Sequence, residues 1–96
     1  MNNYPNELLI DLELVFKALS DKSRLKILLA LNTNESTVSN LATTLNISQS
    51  TLSNQLRILK EAKLVNYIRQ GQNIIYSLDD QHVKDILNIT LLHIKE

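Results

Sequence analysis

The chain has 96 residues, 44% of them hydrophobic, with one glycine, one proline and no cysteine. That is the length of one small domain, and so few chain breakers beside that much apolar content favour a mainly helical globular fold over disorder or a β-sandwich. The formal net charge of zero speaks against a nonspecific nucleic-acid coat, and the missing cysteines exclude disulfides, thiol redox switches and thiolate sites for soft metals or arsenite.

No run approaches the ~18 apolar residues of a membrane span. The start, MNNYPNELL, has no basic segment leading into an apolar one, so the expected location is the cytoplasm, without membrane contact. Charge is unevenly spread. Residues 1 to 16 carry Glu7, Asp11 and Glu13 with no lysine or arginine, while residues 48 to 78 carry Arg57, Lys60, Lys63 and Arg69 against Glu61 alone. A basic middle between acidic ends fits one charged binding face.

In chain order, Leu8, Leu12, Val15, Phe16 and Leu19 recur at helical spacing, and Pro5 suits a first turn, so a helix is expected from about Pro5 to Leu19. Ser20 or Asp21 then caps a second helix with Leu25, Leu28, Leu29 and Asn32 on one side and Lys22 and Lys26 on another. Both Leu-rich faces read as core. Glu35, Ser36 and Thr37 open a short third helix whose buried face is Val38, Leu41, Ala42 and Leu45. Asn46 and Ile47 end it, and Ser48 is a good N-cap for a fourth helix over about Gln49 to Ala62.

Two short helices joined by a turn with one apolar anchor, Ile47, have the form of a helix-turn-helix. The fourth helix divides its labour: Leu52, Leu56 and Leu59 form an inward stripe, while Ser50, Asn54 and Arg57 lie opposite. Small hydroxyls allow close entry into a major groove, amides pair with adenine edges, and Arg57 and Lys60 reach phosphate or guanine. The candidate contacts to double-stranded DNA are therefore Ser48, Gln49, Ser50, Thr51, Ser53, Asn54, Gln55 and Arg57. Beyond Lys63, LVNYIR and IIYSL are β-branched and aromatic runs separated by QGQN, which reads as a hairpin. Such a hairpin forms a wing, and Arg69, Gln70 and Gln72 at its tip are further candidate contacts.

The last stretch, DDQHVKDILNITLLHIKE, holds both histidines, each with a carboxylate near: Asp80 with His82, Glu96 with His93. On a helix the two imidazoles share one stripe but stand ~16 Å apart, so one chain cannot gather all four groups. Two antiparallel copies crossing near Leu87 and Asn88 can, which predicts two equivalent sites per homodimer. Each takes Asp80 and His82 from one chain and His93 and Glu96 from the other. Such a donor set suits Zn(II), with Co(II) as a geometric mimic. The pairing requires Asp80 at the helix start, where its backbone is not yet helical. Val83, Ile86, Leu87, Ile89, Leu91, Leu92 and Ile94 point in more directions than one core stripe needs, so a second protein surface is expected over some of them.

In ALSDKSRLKILLAL (18–31), LNISQSTLSNQLRILKEAKLV (45–65) and RQGQNIIYSL (69–78), the chain resembles the ArsR/SmtB family of winged-helix repressors along nearly its whole length. Its final helix is similar to that of the CzrA-type zinc/cobalt repressors, with Asp80, His82, His93 and Glu96 at the four ligand positions. The resemblance implies a single winged helix-turn-helix domain over 1–96, mainly α with a β-hairpin wing, dimeric through its first and last helices. It also implies a repressor that binds an imperfect inverted-repeat operator when metal-free, is released by zinc, and controls metal efflux or resistance genes.

Three departures stand out: Asn54 where many members have His, Lys63 where many have Gly, and Glu96 as the last residue. They imply a different operator preference, a less sharply turned connection to the wing, and a fourth ligand for which the terminal carboxylate can substitute. The family's second, cysteine-based sensing site would fall at Glu35, Ser36, Thr37 and Val38, and is missing. A last-helix site that is structural or takes cobalt or nickel is the alternative. A zinc hydrolase fits less well, because four protein ligands leave no open coordination position.

Overall fold

The computed structural model describes residues 3–96, in the order α1 (Asn6–Leu19), α2 (Lys22–Thr33), β1 (Ser36–Thr37), α3 (Val38–Leu45), α4 (Gln49–Glu61), β2 (Val65–Gln70), β3 (Asn73–Leu78) and α5 (Gln81–Lys95). Four of the five helices begin at a side-chain cap. The oxygens of Asp21, Thr37, Ser48 and Asp80 accept from the backbone N–H of Arg24, Asn40, Thr51 and Val83 at 3.0, 3.2, 3.2 and 3.2 Å. Each satisfies an N–H that the helix leaves without a partner, worth about 1 kcal/mol.

The ends of α3 and α4 are built alike. Asn46 and Lys63 both take left-handed backbone, with φ of 56° and 61°. The next residues, Ile47 and Leu64, donate back to the carbonyls of Ala42 and Leu59 at 3.1 and 2.9 Å. Asn46 and Lys63 themselves donate to Thr43 and Lys60, which completes a Schellman motif at each end. The turn after α4 is thus fully made with Lys63 in a glycine-like conformation, contrary to the expectation of a softer connection.

The core joins Ile27, Leu28 and Leu31 of α2, Leu41 and Ala42 of α3, and Leu52, Leu56 and Leu59 of α4. Leu64 of the turn after α4, Val65 and Leu78 of the sheet, and Val83 and Leu87 of α5 complete it. Among the described residues no polar or charged residue is buried. The inward stripe of α4 is as expected. In α2, however, Ile27 and Leu31 flank Leu28 in the core while Leu29 is exposed, because the core lies on the opposite side of Leu28 from the face expected.

Two further expectations are corrected. Ser36 and Thr37 do not open a helix; they form a strand paired antiparallel with Tyr76 and Ile75 of β3, and Thr37 caps α3. The hairpin is therefore part of a three-stranded sheet of order β1-β3-β2. In α1, only Ala18 is buried, with Val15 and Leu19 against the core, whereas Leu8, Leu12 and Phe16 are exposed, Phe16 by 61%.

Hairpin pairing runs from Val65 opposite Leu78 to Gln70 opposite Asn73, leaving Gly71 and Gln72 as a two-residue turn. Gly71 has φ +66°, while Gln72 is not among the positive-φ residues, the pattern of a type II′ turn. A β-carbon at Gly71 would meet nothing within 4 Å, so the position favours glycine for its backbone conformation and not for space.

Candidate nucleic-acid interface and metal centre

Burying Leu52, Leu56 and Leu59 turns the opposite side of α4 outward, so Gln49, Ser50, Thr51, Ser53, Asn54 and Arg57 are all exposed. Not all of these side chains are free. Ser48 Oγ caps the helix and donates to Thr51 Oγ1 at 2.8 Å. Arg57 donates to Asn54 Oδ1 at 2.8 Å and to Glu61 Oε1 at 3.0 Å. An exposed ion pair of this kind contributes little, so phosphate can displace it. Gln55 differs from its neighbours: it is half-buried, and its Oε1 accepts from Arg24 Nη1 at 3.2 Å.

Arg69, Gln70 and Gln72 lie exposed on the wing. The wing root is joined to α4 by contacts that sequence reasoning missed. Tyr67 and Tyr76, opposite each other across the strands, have ring centroids 5.3 Å apart, and Lys60 Nζ stands 5.4 Å from the Tyr67 centroid. Lys60, expected at phosphate, is thus placed over an aromatic face, a favourable arrangement for a cation. Burial first, and then Tyr67, push the Tyr76 phenol above its ordinary pKa. A pair of tyrosines nine positions apart across a hairpin was the available signal.

At the start of α5, Asp80 occupies the N-cap with extended backbone, φ −158°. Its carboxylate folds back so that Oδ1 accepts from Val83 N–H while Oδ2 lies 3.3 Å from His82 Nδ1. The extended backbone at the N-cap thus brings the two side chains together despite their two-residue spacing. Desolvation opposes the charged form of Asp80, but the bonds from Val83 and His82 outweigh it and its pKa is lowered.

His82 projects outward, its side chain 88% exposed. His93 and Glu96 stand exposed at the far end of α5, and among the described residues no three potential ligands converge within one chain. The donor chemistry fits half of a zinc shell. Two ligands each ~2.0 Å from a tetrahedral ion lie about 3.3 Å apart, which is the Nδ1 to Oδ2 separation here.

Asp80 and His82 also border an open cavity of about 230 Å³ whose wall includes Glu61, Ala62, Lys63 and Leu64, the end of the fourth helix. Asp79 N–H donates to the Leu64 carbonyl at 3.0 Å, a direct backbone link between that end and the start of α5. Farther along, α5 is held to α2 by polar contacts. Lys84 Nζ donates to the Asn32 carbonyl at 3.2 Å, and Asn32 Nδ2 donates to Asn88 Oδ1 at 2.9 Å.

A helix-turn-helix with an exposed polar helix face, followed by an antiparallel wing, defines a winged helix-turn-helix DNA-binding domain. Residues 21–67 match the family model described as bacterial regulatory protein, arsR family. The chain is 43% identical over 81 residues to a transcriptional repressor SmtB homolog of Synechocystis, covering 84% of this chain and 61% of that protein, less than two thirds of its length. It is 40% identical over 88 residues to a cadmium resistance transcriptional regulatory protein CadC homolog of Staphylococcus aureus, covering 91% and 73%. Its fold is similar to the homodimeric winged helix-turn-helix DNA-binding domain of Mb0332 from Mycobacterium bovis, with a TM-score of 0.93, 28% identity, and 100% and 89% of the two chains covered. The chain belongs to the ArsR/SmtB family of bacterial transcriptional regulators.

Proposed function

We propose that this chain is a metal-responsive transcriptional repressor that binds inverted-repeat operator DNA as a homodimer and is released by Zn(II). The observation that carries the metal reading is the Asp80–His82 pair, held by the N-cap at zinc-ligand separation on an exposed helix end. His93 and Glu96 of the partner subunit complete the set, because one chain cannot span the ~16 Å along α5. Support for the dimer comes from the uncovered apolar faces of α1 and α5, and from the homodimeric state of the Mycobacterium bovis domain. When bound, zinc supplies a cross-link between the two α5 helices.

DNA contact falls to the exposed residues of α4 and the wing, Gln49, Ser50, Ser53, Asn54, Arg57, Arg69, Gln70 and Gln72, with the exposed hydroxyls of Ser48 and Thr51 at the helix start turned to phosphate. The two recognition helices of a dimer must match successive major grooves ~34 Å apart, so a small rotation between protomers is enough to break one set of contacts. Two features of this chain suit it to carry that rotation. The metal pair and the end of α4 border the same cavity, and the Asp79–Leu64 bond joins their backbones. We infer a third contribution from His93 of the partner subunit, whose ring nitrogen not bound to metal would donate toward a carbonyl near Lys63, the usual arrangement for a ligand histidine.

The test is zinc stoichiometry and operator affinity, with and without metal, for wild type, His82→Ala and His93→Ala. One zinc per chain and release of operator are expected in wild type, and neither in the variants. Zinc-induced release that survives in both variants rules the site out as the sensor. Parallel titrations with cobalt and nickel rank the metals, since a zinc sensor releases at the lowest free zinc.

A further inference from the structure

Arg24, at the third position of α2, has a side chain only 18% exposed, and its guanidinium joins three helices. Nε donates to the Ala18 carbonyl at 2.9 Å and Nη2 to the Lys17 carbonyl at 3.1 Å, both in the last turn of α1. Nη1 donates to Gln55 Oε1 of α4 at 3.2 Å, and the backbone N–H of Arg24 is held by Asp21. The Lys17 carbonyl also accepts from Ser20 N–H and Oγ, while the Ala18 carbonyl at the helix end takes its bond from Arg24, which stabilises the end of α1. The bond to Gln55 has no such local purpose. With the two carbonyl bonds it ties α1, whose apolar face is uncovered, through Arg24 of α2 to α4, whose opposite side is polar and exposed.

A guanidinium holds its donors in one rigid plane, so three bonds to two helices specify an angle between them as well as a distance. Lysine cannot reproduce this, because its three donors sit on one nitrogen at the end of a flexible stem and not in a spread, rigid plane. We propose that Arg24, through Gln55, is a positioning residue that fixes the recognition helix relative to α1 and thereby sets the separation of the two recognition helices in the dimer. The assignment rests on the repressor reading above. It gives Gln55 an inward role, distinct from the outward contacts of Ser50, Ser53 and Asn54.

The test uses the full chain and an inverted-repeat duplex that the wild type enriches from a random-sequence pool. Arg24→Lys, Gln55→Ala and the double variant are compared on that duplex, on one lengthened at its centre by a base pair, and on a single half-site. The added pair moves one half-site by ~3.4 Å and ~35° relative to the other. Arg24→Lys is expected to weaken binding to the enriched duplex about tenfold while leaving the half-site within about twofold. Gln55→Ala is expected to narrow the preference for the enriched over the lengthened duplex to the same degree. The double variant should be no worse than the weaker single one, because both remove one bond.

Loss of fold alone would not narrow the spacing preference of the molecules that remain active. Where Arg24→Lys melts too early to assay, the spacing preference of Gln55→Ala decides by itself. Unchanged spacing preference in Gln55→Ala overturns the assignment, as does an equal loss on half-site and inverted repeat in Arg24→Lys. If the wild type enriches no inverted repeat, the repressor reading falls and this assignment with it; enrichment with insensitive variants overturns the assignment alone.

Discussion

At the scale of single residues, backbone geometry and charge are separable by substitution. Lys63 takes left-handed backbone at a helix end where glycine is at no disadvantage. Since that conformation costs a non-glycine residue roughly 1–2 kcal/mol, Lys63→Gly is expected to stabilise the fold by about 1 kcal/mol after the added chain entropy, read as a rise of several degrees in melting temperature. Asp80 has two roles, capping α5 and facing His82. Asparagine caps about as well but lacks the carboxylate charge, so Asp80→Asn should keep thermal stability within about 0.5 kcal/mol while zinc titration shows weakened binding; Asp80→Ala should lose both. The caps Asp21, Ser48 and Asp80 were legible in the sequence because a cap and the N–H that it serves are three residues apart. The left-handed Lys63 was not, since the residue type argues against its own conformation. Nor was Arg24, whose partners lie in two other helices.

At the scale of elements, the proposed function divides the reading of DNA between α4 for bases and the wing for backbone. Asn54→Ala is expected to cost about 1–3 kcal/mol at one or two base positions, seen as relaxed sequence preference in a binding-site selection. Arg69→Ala should instead weaken all duplexes alike and reduce the slope of log affinity against log salt by about one. The inward stripe of α4 was readable because helical period alone selects Leu52, Leu56 and Leu59. The strand at Ser36 and Thr37 was not readable. Two residues carry no period, and what makes them a strand is pairing with Tyr76 and Ile75, some forty positions away. The α2 face was misjudged for a related reason: Ile27, Leu28, Leu29 and Leu31 offer apolar groups all round the helix, and only the packing of α4 and the sheet selects among them.

At the scale of the whole molecule, the chain is flat, 50 × 34 × 21 Å, and leaves large apolar side chains uncovered on α1 and α5. Ile89, Leu92 and Ile94 of α5 are 65%, 67% and 72% exposed, and Leu8, Leu12 and Phe16 of α1 are exposed as well. The sequence marks these residues as apolar and periodic, but a stripe meant for a neighbour looks like a stripe meant for the core; only α5, apolar in too many directions, betrayed the difference. Substituting Ile89→Glu and Leu92→Glu together is expected to yield monomers by sedimentation and to weaken inverted-repeat binding about a hundredfold or more, since each half-site then binds alone. Among the described residues β1 pairs with β3 at Ile75 and Tyr76, so the third strand of the sheet does not reach the outer half of the hairpin. Amide exchange should quicken stepwise from Val65 and Leu78 toward Gly71; on the proposed function, such a wing is a finger with a rigid knuckle and a compliant pad, suited to grooves of unequal width.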